Sequence, residues 1–330
     1  MEKEYYYVYC KGVLGVKTNF HDFAWVYGSS APVASSEEYD QCVVKFNVYI
    51  KLEKHLSRQY VCDRRFQSYS WDSKQQTLFY DRQFFKKIGI GYRLQMDGNV
   101  VNAEIGANYA RLVKNRVMNM HGIYYLLSDL ANVLLLKNGF LTLYASSVQM
   151  EALQRCTVNF APPNTGKTCM ATLLCERYGG TLVGEDIVIF DGEKVHACPW
   201  TNSYRKAENS VLDSSGSMRR EKRNSENISE DACKITDLTV LSLGNRKIDI
   251  DTSRILKDIS ILNGYLFHYY STPIVKVLSY FDERYDRPWS VYAEDFLKKM
   301  TTNCCCYQLQ SEESVDFAEI FYKMISDKEI

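Results

Sequence analysis

One run of eight residues constrains this chain more than any other: Ala161-Pro162-Pro163-Asn164-Thr165-Gly166-Lys167-Thr168. A strand, Arg155 to Phe160, leads into it, and a helix-favouring stretch, Lys167 to Tyr178, leads out. A strand feeding a glycine-containing loop that opens a helix is what a phosphate-binding loop requires. The first N–H groups of the helix and the helix dipole both favour an anion at that point. Lys167 is placed to reach the β- and γ-phosphates of a nucleotide, and the Thr168 hydroxyl to ligate Mg²⁺. Pro162 and Pro163 have no N–H to donate, so the cradle must rely on Thr165 to Thr168, nearest the helix. Asn164, Thr165, Gly166, Lys167, Thr168 and Cys169 are the candidate nucleotide-binding residues. The plainer alternative is a Pro/Gly turn that happens to precede Lys-Thr.

A pair of acids follows closely. After Gly179-Gly180 closes the helix, the run Thr181 to Phe190 reads as a buried strand interrupted by Glu185 and Asp186. Two adjacent charges in so apolar a stretch are costly unless paired or metal-bound. One acid can bind a metal and the other accept a proton from a substrate hydroxyl. The alternative is a β-turn at Gly184-Glu185-Asp186 with both acids in solvent.

The stretch from Ile123 to Phe190 resembles the catalytic domain of the HPr kinase/phosphorylase family. In order, the matching parts are the helix Ile123 to Gly139, a strand with Tyr144-Ala145-Ser146-Ser147-Val148, the phosphate loop, and Leu182-Val183-Gly184-Glu185-Asp186. Pro199-Trp200 adds a dipeptide found after the next hairpin in that family. The short loop-to-acid distance is the specific element. The resemblance implies an α/β fold with a phosphoenolpyruvate-carboxykinase-like nucleotide-binding domain, and an ATP- and Mg²⁺-dependent transfer of the γ-phosphoryl group to a hydroxyl. The acceptor would be a protein or peptide serine, or a small-molecule alcohol. Carried over, Glu185 is the base, Asp186 the metal partner beside Thr168, and Lys167 the phosphate contact. The family commonly has His, Asp and Gly where this chain has Tyr144, Glu185 and Ala161. Those departures keep open a second class of function, a catalytically degenerate nucleotide-binding sensor or scaffold.

Composition bounds the rest. Forty basic residues balance forty acidic ones, so no global field draws the chain to nucleic acid or an anionic membrane. The longest apolar run, Ile123 to Leu136, is broken by Ser128 and Asp129 and is too short to span a bilayer. The first residues lack the order of a signal peptide, and eleven cysteines then point to free thiols in a cytoplasmic setting. No Cys-x-x-Cys pair completes a zinc site, and all eleven read as structural or incidental. A homo-oligomer is left open.

Organisation divides the chain at about residue 115. Residues 1–115 carry alternating, tyrosine-rich runs and a hairpin signal at Asp97-Gly98-Asn99, and read as a β-rich accessory or substrate-recognition region. Residues 116–330 hold the nucleotide-binding domain. Within it, residues 205–234 are polar enough to be a mobile loop. Arg205 and Lys206, at its start, are candidate contacts to transferred phosphate, with Tyr144 as a third candidate substrate residue. Strands at Ile235 to Leu243 and Lys247 to Asp249 follow, then helices from Thr252, Thr272-Pro273, Ser290 and Val315.

Overall fold

Strict alternation of buried and half-buried residues along Val44-Lys-Phe-Asn-Val-Tyr, and again along Val100 to Ile105, commits the N-terminal part of the chain to a sheet with one face sealed from water. The computed structural model describes residues 3–21, 23, 25–28, 31–52, 62–84, 88–108, 123–200, 228–264, 279–281 and 289–326. The protein is mixed α/β, with large sheets and few helices. Its contacts divide it into two compact units: Met1–Val26, Ala31–Leu134 and Tyr269–Trp289 form one, and Tyr27–Ser30, Leu135–His268 and Ser290–Ile330 the other.

The first unit carries strands β1 (Tyr5–Cys10), β2 (Leu14–Thr18), β3 (Val33–Ala34), β4 (Val44–Lys51), β5 (Arg64–Phe66), β6 (Tyr69–Asp72), β7 (Thr77–Phe84), β8 (Ile88–Asp97) and β9 (Val100–Gly106), with a short helix α1 (Ser36–Asp40). They form one nine-stranded sheet, ordered β3-β1-β2-β4-β9-β8-β7-β6-β5. β2, β4 and β9 run parallel at its centre, and the remaining pairs are antiparallel. The Asp-Gly-Asn signal does make a tight hairpin: Asp97 pairs with Val100, and Gly98 takes a φ of 58° that a side chain would resist. Ser35 caps α1 reciprocally with Glu38. The tyrosines serve as packing: Tyr7, Tyr9, Tyr39 and Tyr92 are buried, and the Tyr9 hydroxyl donates to the Phe23 carbonyl at 2.8 Å.

Helix α2 (Ile123–Lys137) follows, and Ser128 and Asp129, which break its apolar run, are both buried in it. Burial pushes the Asp129 carboxyl up to about 8.

The second unit holds β10 (Leu141–Leu143), β11 (Ser146–Met150), β12 (Arg155–Phe160), α3 (Lys167–Tyr178), β13 (Thr181–Gly184), β14 (Val188–Phe190), β15 (Lys194–His196), β16 (Cys233–Lys234), β17 (Asp237–Leu243), β18 (Lys247–Asp249), α4 (Thr252–Asn263), α5 (Trp289–Asn303), β19 (Cys305–Ser311) and α6 (Asp316–Ser326). Six strands, in the order β13-β11-β12-β17-β19-β18, form a mixed sheet, and β10-β14-β15-β16 form a separate antiparallel one. β11 and β12 make an antiparallel hairpin, while β12 and β17 run parallel on the other side. The strand that carries the loop therefore leaves a hairpin and does not lie between two parallel neighbours. One face of the six-stranded sheet buries Val148 and Leu309 against Met170 and Leu174 of α3 and Phe317 and Phe321 of α6.

Two sequence expectations are corrected here. Thr181 to Phe190 is not one strand: β13 belongs to the six-stranded sheet and β14 to the four-stranded one, with a bend at Glu185-Asp186 between them. A Cβ on Gly184 would lie 2.4 Å from the Ile187 carbonyl oxygen, so only glycine permits the chain to double back this tightly. Tyr144 likewise stands at a bend between β10 and β11, outside any strand. The expected loop 205–234 is held at its end, where the Ser229 N–H donates to the Leu182 carbonyl at 2.8 Å and Cys233 pairs with Val195. Residues 205–227 lie outside the described residues, as does the helix expected at Thr272-Pro273. Among the described residues, no helix is long and apolar enough to cross a membrane.

Candidate functional site

The six residues of β12 are almost wholly buried, and their end delivers the chain into the loop at Ala161. Two features then turn the chain into α3. Asn164 adopts a left-handed φ of 63°, and Gly166 a φ of 126° at the helix N-cap. Asparagine tolerates the first by bonding locally, and only glycine takes the second without strain. The Thr165 N–H closes a turn on the Pro162 carbonyl at 3.3 Å, and the Met170 N–H completes the first helical turn on Gly166 at 2.8 Å. No side chain caps this helix start. The leading N–H groups of α3 thus sit beside a half-buried Thr168 hydroxyl, in the arrangement that favours an anion.

Lys167 does not extend into water. Its side chain is buried, its ammonium donates to the Ala161 carbonyl at 3.2 Å, and it lies 3.9 Å from the centre of the Tyr144 ring. Burial pushes its pKa down to about 8, and the Asp186 carboxylate pulls the other way. Tyr144 is fixed in turn: its N–H donates to Asn263 Oδ1 at 2.7 Å, and Asn263, at the end of α4, donates to the Thr142 carbonyl at 3.2 Å.

Sheet topology explains how Tyr144 and the acids come together. In the four-stranded sheet the last pair is Leu143 with Val188, and in the six-stranded sheet the first is Ser147 with Gly184. Between those pairs both chains switch sheets, Tyr144 and Ala145 on one side and Glu185 to Ile187 on the other. Lys167 lies over Tyr144 of the first switch and within electrostatic reach of Asp186 of the second. Of the two acids, Glu185 is completely buried and Asp186 is half-buried, so neither the continuous strand nor the solvent-facing turn describes them.

Beneath the loop runs a polar network that the sequence reading missed. The Ser146 hydroxyl donates to the Lys167 carbonyl at 3.2 Å, and Asn159 Nδ2 donates to Ser146 at 3.3 Å. The hydroxyls of Thr157 and Thr239 both donate to Asn159 Oδ1, at 2.8 and 2.7 Å. All four are buried, so each bond replaces one that water would otherwise make. Thr157 and Asn159, polar residues two positions apart on one face of a buried strand, were the available signal. Cys169 is half-buried, and burial raises its thiol above the ordinary range. Arg205 and Lys206 lie outside the described residues.

Compared with known proteins, the chain matches no family model, and no curated protein matches its sequence. The site's chemistry therefore rests on its own geometry.

Gly166 offers a direct check on that geometry. A Cβ added there would lie 2.6 Å from the Ser314 Cβ, in a backbone conformation side chains resist. Gly166→Ala should cost about 1–3 kcal/mol, read as a lower urea midpoint by circular dichroism. A wild-type midpoint would show that the loop is not held in this form.

Proposed function

We propose that the second unit is a nucleotide-binding domain of the phosphoenolpyruvate-carboxykinase-like type and that the protein is an ATP-dependent phosphotransferase acting on a hydroxyl acceptor. One observation carries this reading: a lysine buried at the start of a helix, behind a loop reached from an antiparallel hairpin, within the electrostatic reach of an acid on a neighbouring bend. Structural lysines seldom accept that degree of burial. A lysine whose counter-charge arrives with a phosphate accounts for it.

In this reading the N–H groups of Gly166 to Cys169, with Asn164 and the Thr165–Pro162 turn shaping the loop, receive the phosphates, and Lys167 neutralises the transferred group. Among the described residues, no group of three or more His, Cys, Asp and Glu is placed to hold a metal on its own. Mg²⁺ on a nucleotide needs no such cage, because one or two protein oxygens and the phosphates suffice. Thr168 and Asp186, both half-buried oxygen donors, fit that demand, and the ion would supply charge neutralisation. Glu185 would accept the hydroxyl proton. Arg205 and Lys206 remain the proposed acceptor-side cations. The acceptor class stays as broad as a protein or peptide serine or a small alcohol.

The complete burial of Glu185 favours a second reading, a nucleotide-binding sensor or scaffold without transfer. A base must meet its substrate, and this one touches no solvent in the present conformation. The two readings separate on turnover.

Lys167→Ala should lower ATP affinity by about 1.5–3 kcal/mol, the worth of a charged hydrogen bond, seen as a smaller nucleotide-induced rise in melting temperature. Unchanged affinity would falsify the phosphate-loop assignment. Glu185→Gln should keep nucleotide binding and lose phosphoryl transfer; full turnover in that variant would remove Glu185 from the base role, and no turnover by wild type on any acceptor would leave the sensor.

The lowered Lys167 pKa gives a pH dependence of definite sign. Phosphate favours the ammonium, so binding raises a free-state value of about 8 and takes up a proton at and above that pH. Affinity should fall as pH rises through about 8, and the uptake should vanish well below it. Calorimetric titration in two buffers of different ionisation enthalpy reads this directly. Equal heats in both buffers above pH 8 would contradict a neutralised Lys167 at the phosphates.

A further inference from the structure

Away from the loop, two thiols stand closer than any ordinary contact requires. Cys156, on β12, and Cys233, on β16, have their sulfur atoms 2.9 Å apart. That is inside normal van der Waals contact and within about 1 Å of the roughly 2.05 Å of a disulfide bond. Their backbones are pinned independently of the sulfurs. The Cys156 N–H donates to the Thr236 hydroxyl at 2.8 Å and its carbonyl accepts the Thr236 N–H at 3.0 Å, while Cys233 pairs with Val195 across β15. Among the described residues, the Ser147 hydroxyl also meets the Cys156 sulfur, at 3.6 Å. The Cys304-Cys305-Cys306 run turns elsewhere: the Cys304 thiol meets the Ile235 carbonyl, and the Cys306 thiol meets the Thr301 and Cys304 carbonyls.

We infer that Cys156 and Cys233 are a redox-convertible pair that a small hydroperoxide closes into a disulfide. Cys233 is the more exposed of the two, at 8% against 2%, and reacts first. Its sulfur takes the distal peroxide oxygen, the O–O bond breaks, the alcohol leaves, and a sulfenic acid remains. The Cys156 sulfur then forms the S–S bond as the sulfenic oxygen departs in water. Two thiols and one hydroperoxide thus become one disulfide, one alcohol and one water; with hydrogen peroxide the alcohol is a second water. The Cys233 thiol and burial together raise the Cys156 thiol well above its ordinary value, so Cys156 is the slower thiol to react with oxidant, and its 2.9 Å contact with Cys233 makes it the resolving partner. A thiol reductant reverses the reaction by exchange.

The bond would tie together residues 77 positions apart. It would join the strand that carries the phosphate loop to the strand that follows residues 201–227, and so restrict the unfolded chain. This consequence does not depend on the loop's ligand.

The test treats the purified full chain with hydrogen peroxide and maps its peptides without reduction, using the exposed Cys305 as an internal control for oxidant. The expected result is a linked peptide containing Cys156 and Cys233, two hydrogens lighter than the free pair. A melting temperature several degrees higher that dithiothreitol returns to the starting value should accompany it. Cys233→Ser should abolish both changes, and Cys156→Ser should leave a Cys233 sulfenic acid that dimedone traps. Recovery of both cysteines as free thiols in wild type once Cys305 is oxidised would overturn the inference. So would linkage of either one to the Cys304–Cys306 run in place of its neighbour.

Discussion

An ammonium group taken out of water must be compensated on the spot, and the second unit is arranged around one such group. Moving a charge into a protein interior costs several kcal/mol unless dipoles, opposite charge or a π-face replace its hydration. Lys167 is 5% exposed and finds all three, in the Ala161 carbonyl, the Asp186 carboxylate and the Tyr144 ring. Each partner comes from a different segment. The loop, the β10–β11 bend and the β13–β14 bend therefore have to converge, and the two side-by-side sheet switches are how they do so. The compensation is incomplete, since burial still outweighs Asp186 and depresses the lysine. A site left short of negative charge in this way suits a ligand that carries it.

The loop itself is held from below. Asn159 gathers hydroxyls from two neighbouring parallel strands and passes a hydrogen bond through Ser146 to the carbonyl of Lys167. A satisfied buried network of this kind specifies one arrangement, because breaking any member strands polar atoms away from water. Gly166 reaches the same end by steric means, lying too close to Ser314 for any side chain. Polar bonds beneath and close packing beside the loop both fix where α3 begins, and so where its free N–H groups point.

Much of this was legible in the chain. The strand, the Pro-Asn-Thr-Gly loop and the helix of this run stand where the strand-forming stretch, the glycine and the helix-favouring residues place them, and α3 ends at Gly179 in the left-handed conformation that glycine allows. The β-rich N-terminal part, the Asp-Gly-Asn hairpin and the helices beginning at Thr252, near Ser290 and near Val315 were equally local readings. The site was legible only in part. Lys167, Thr168 and the acids could be named from spacing, but Asn159, Asn263 and Ser314 could not. Their roles depend on residues far along the chain: Asn159 meets Thr239, Asn263 meets Tyr144, and Ser314 meets Gly166.

The misreadings have the same origin. Thr181 to Phe190 is apolar enough to look like one strand, yet hydrophobicity records burial and not which sheet does the burying. Distance between cysteines is equally invisible to spacing: Cys156 and Cys233 meet only through the β12, Thr236 and β15 contacts. By itself, the sequence determined what adjacent residues decide through propensity, turn chemistry and periodicity: the loop, its helix, the hairpin and the alternating strands. Tertiary structure alone decided that Tyr144 would lie under Lys167, that Glu185 would be sealed from water while Asp186 was not, and that two distant thiols would touch. Those outcomes follow from long-range strand pairing, whose partners are chosen by the whole packed unit.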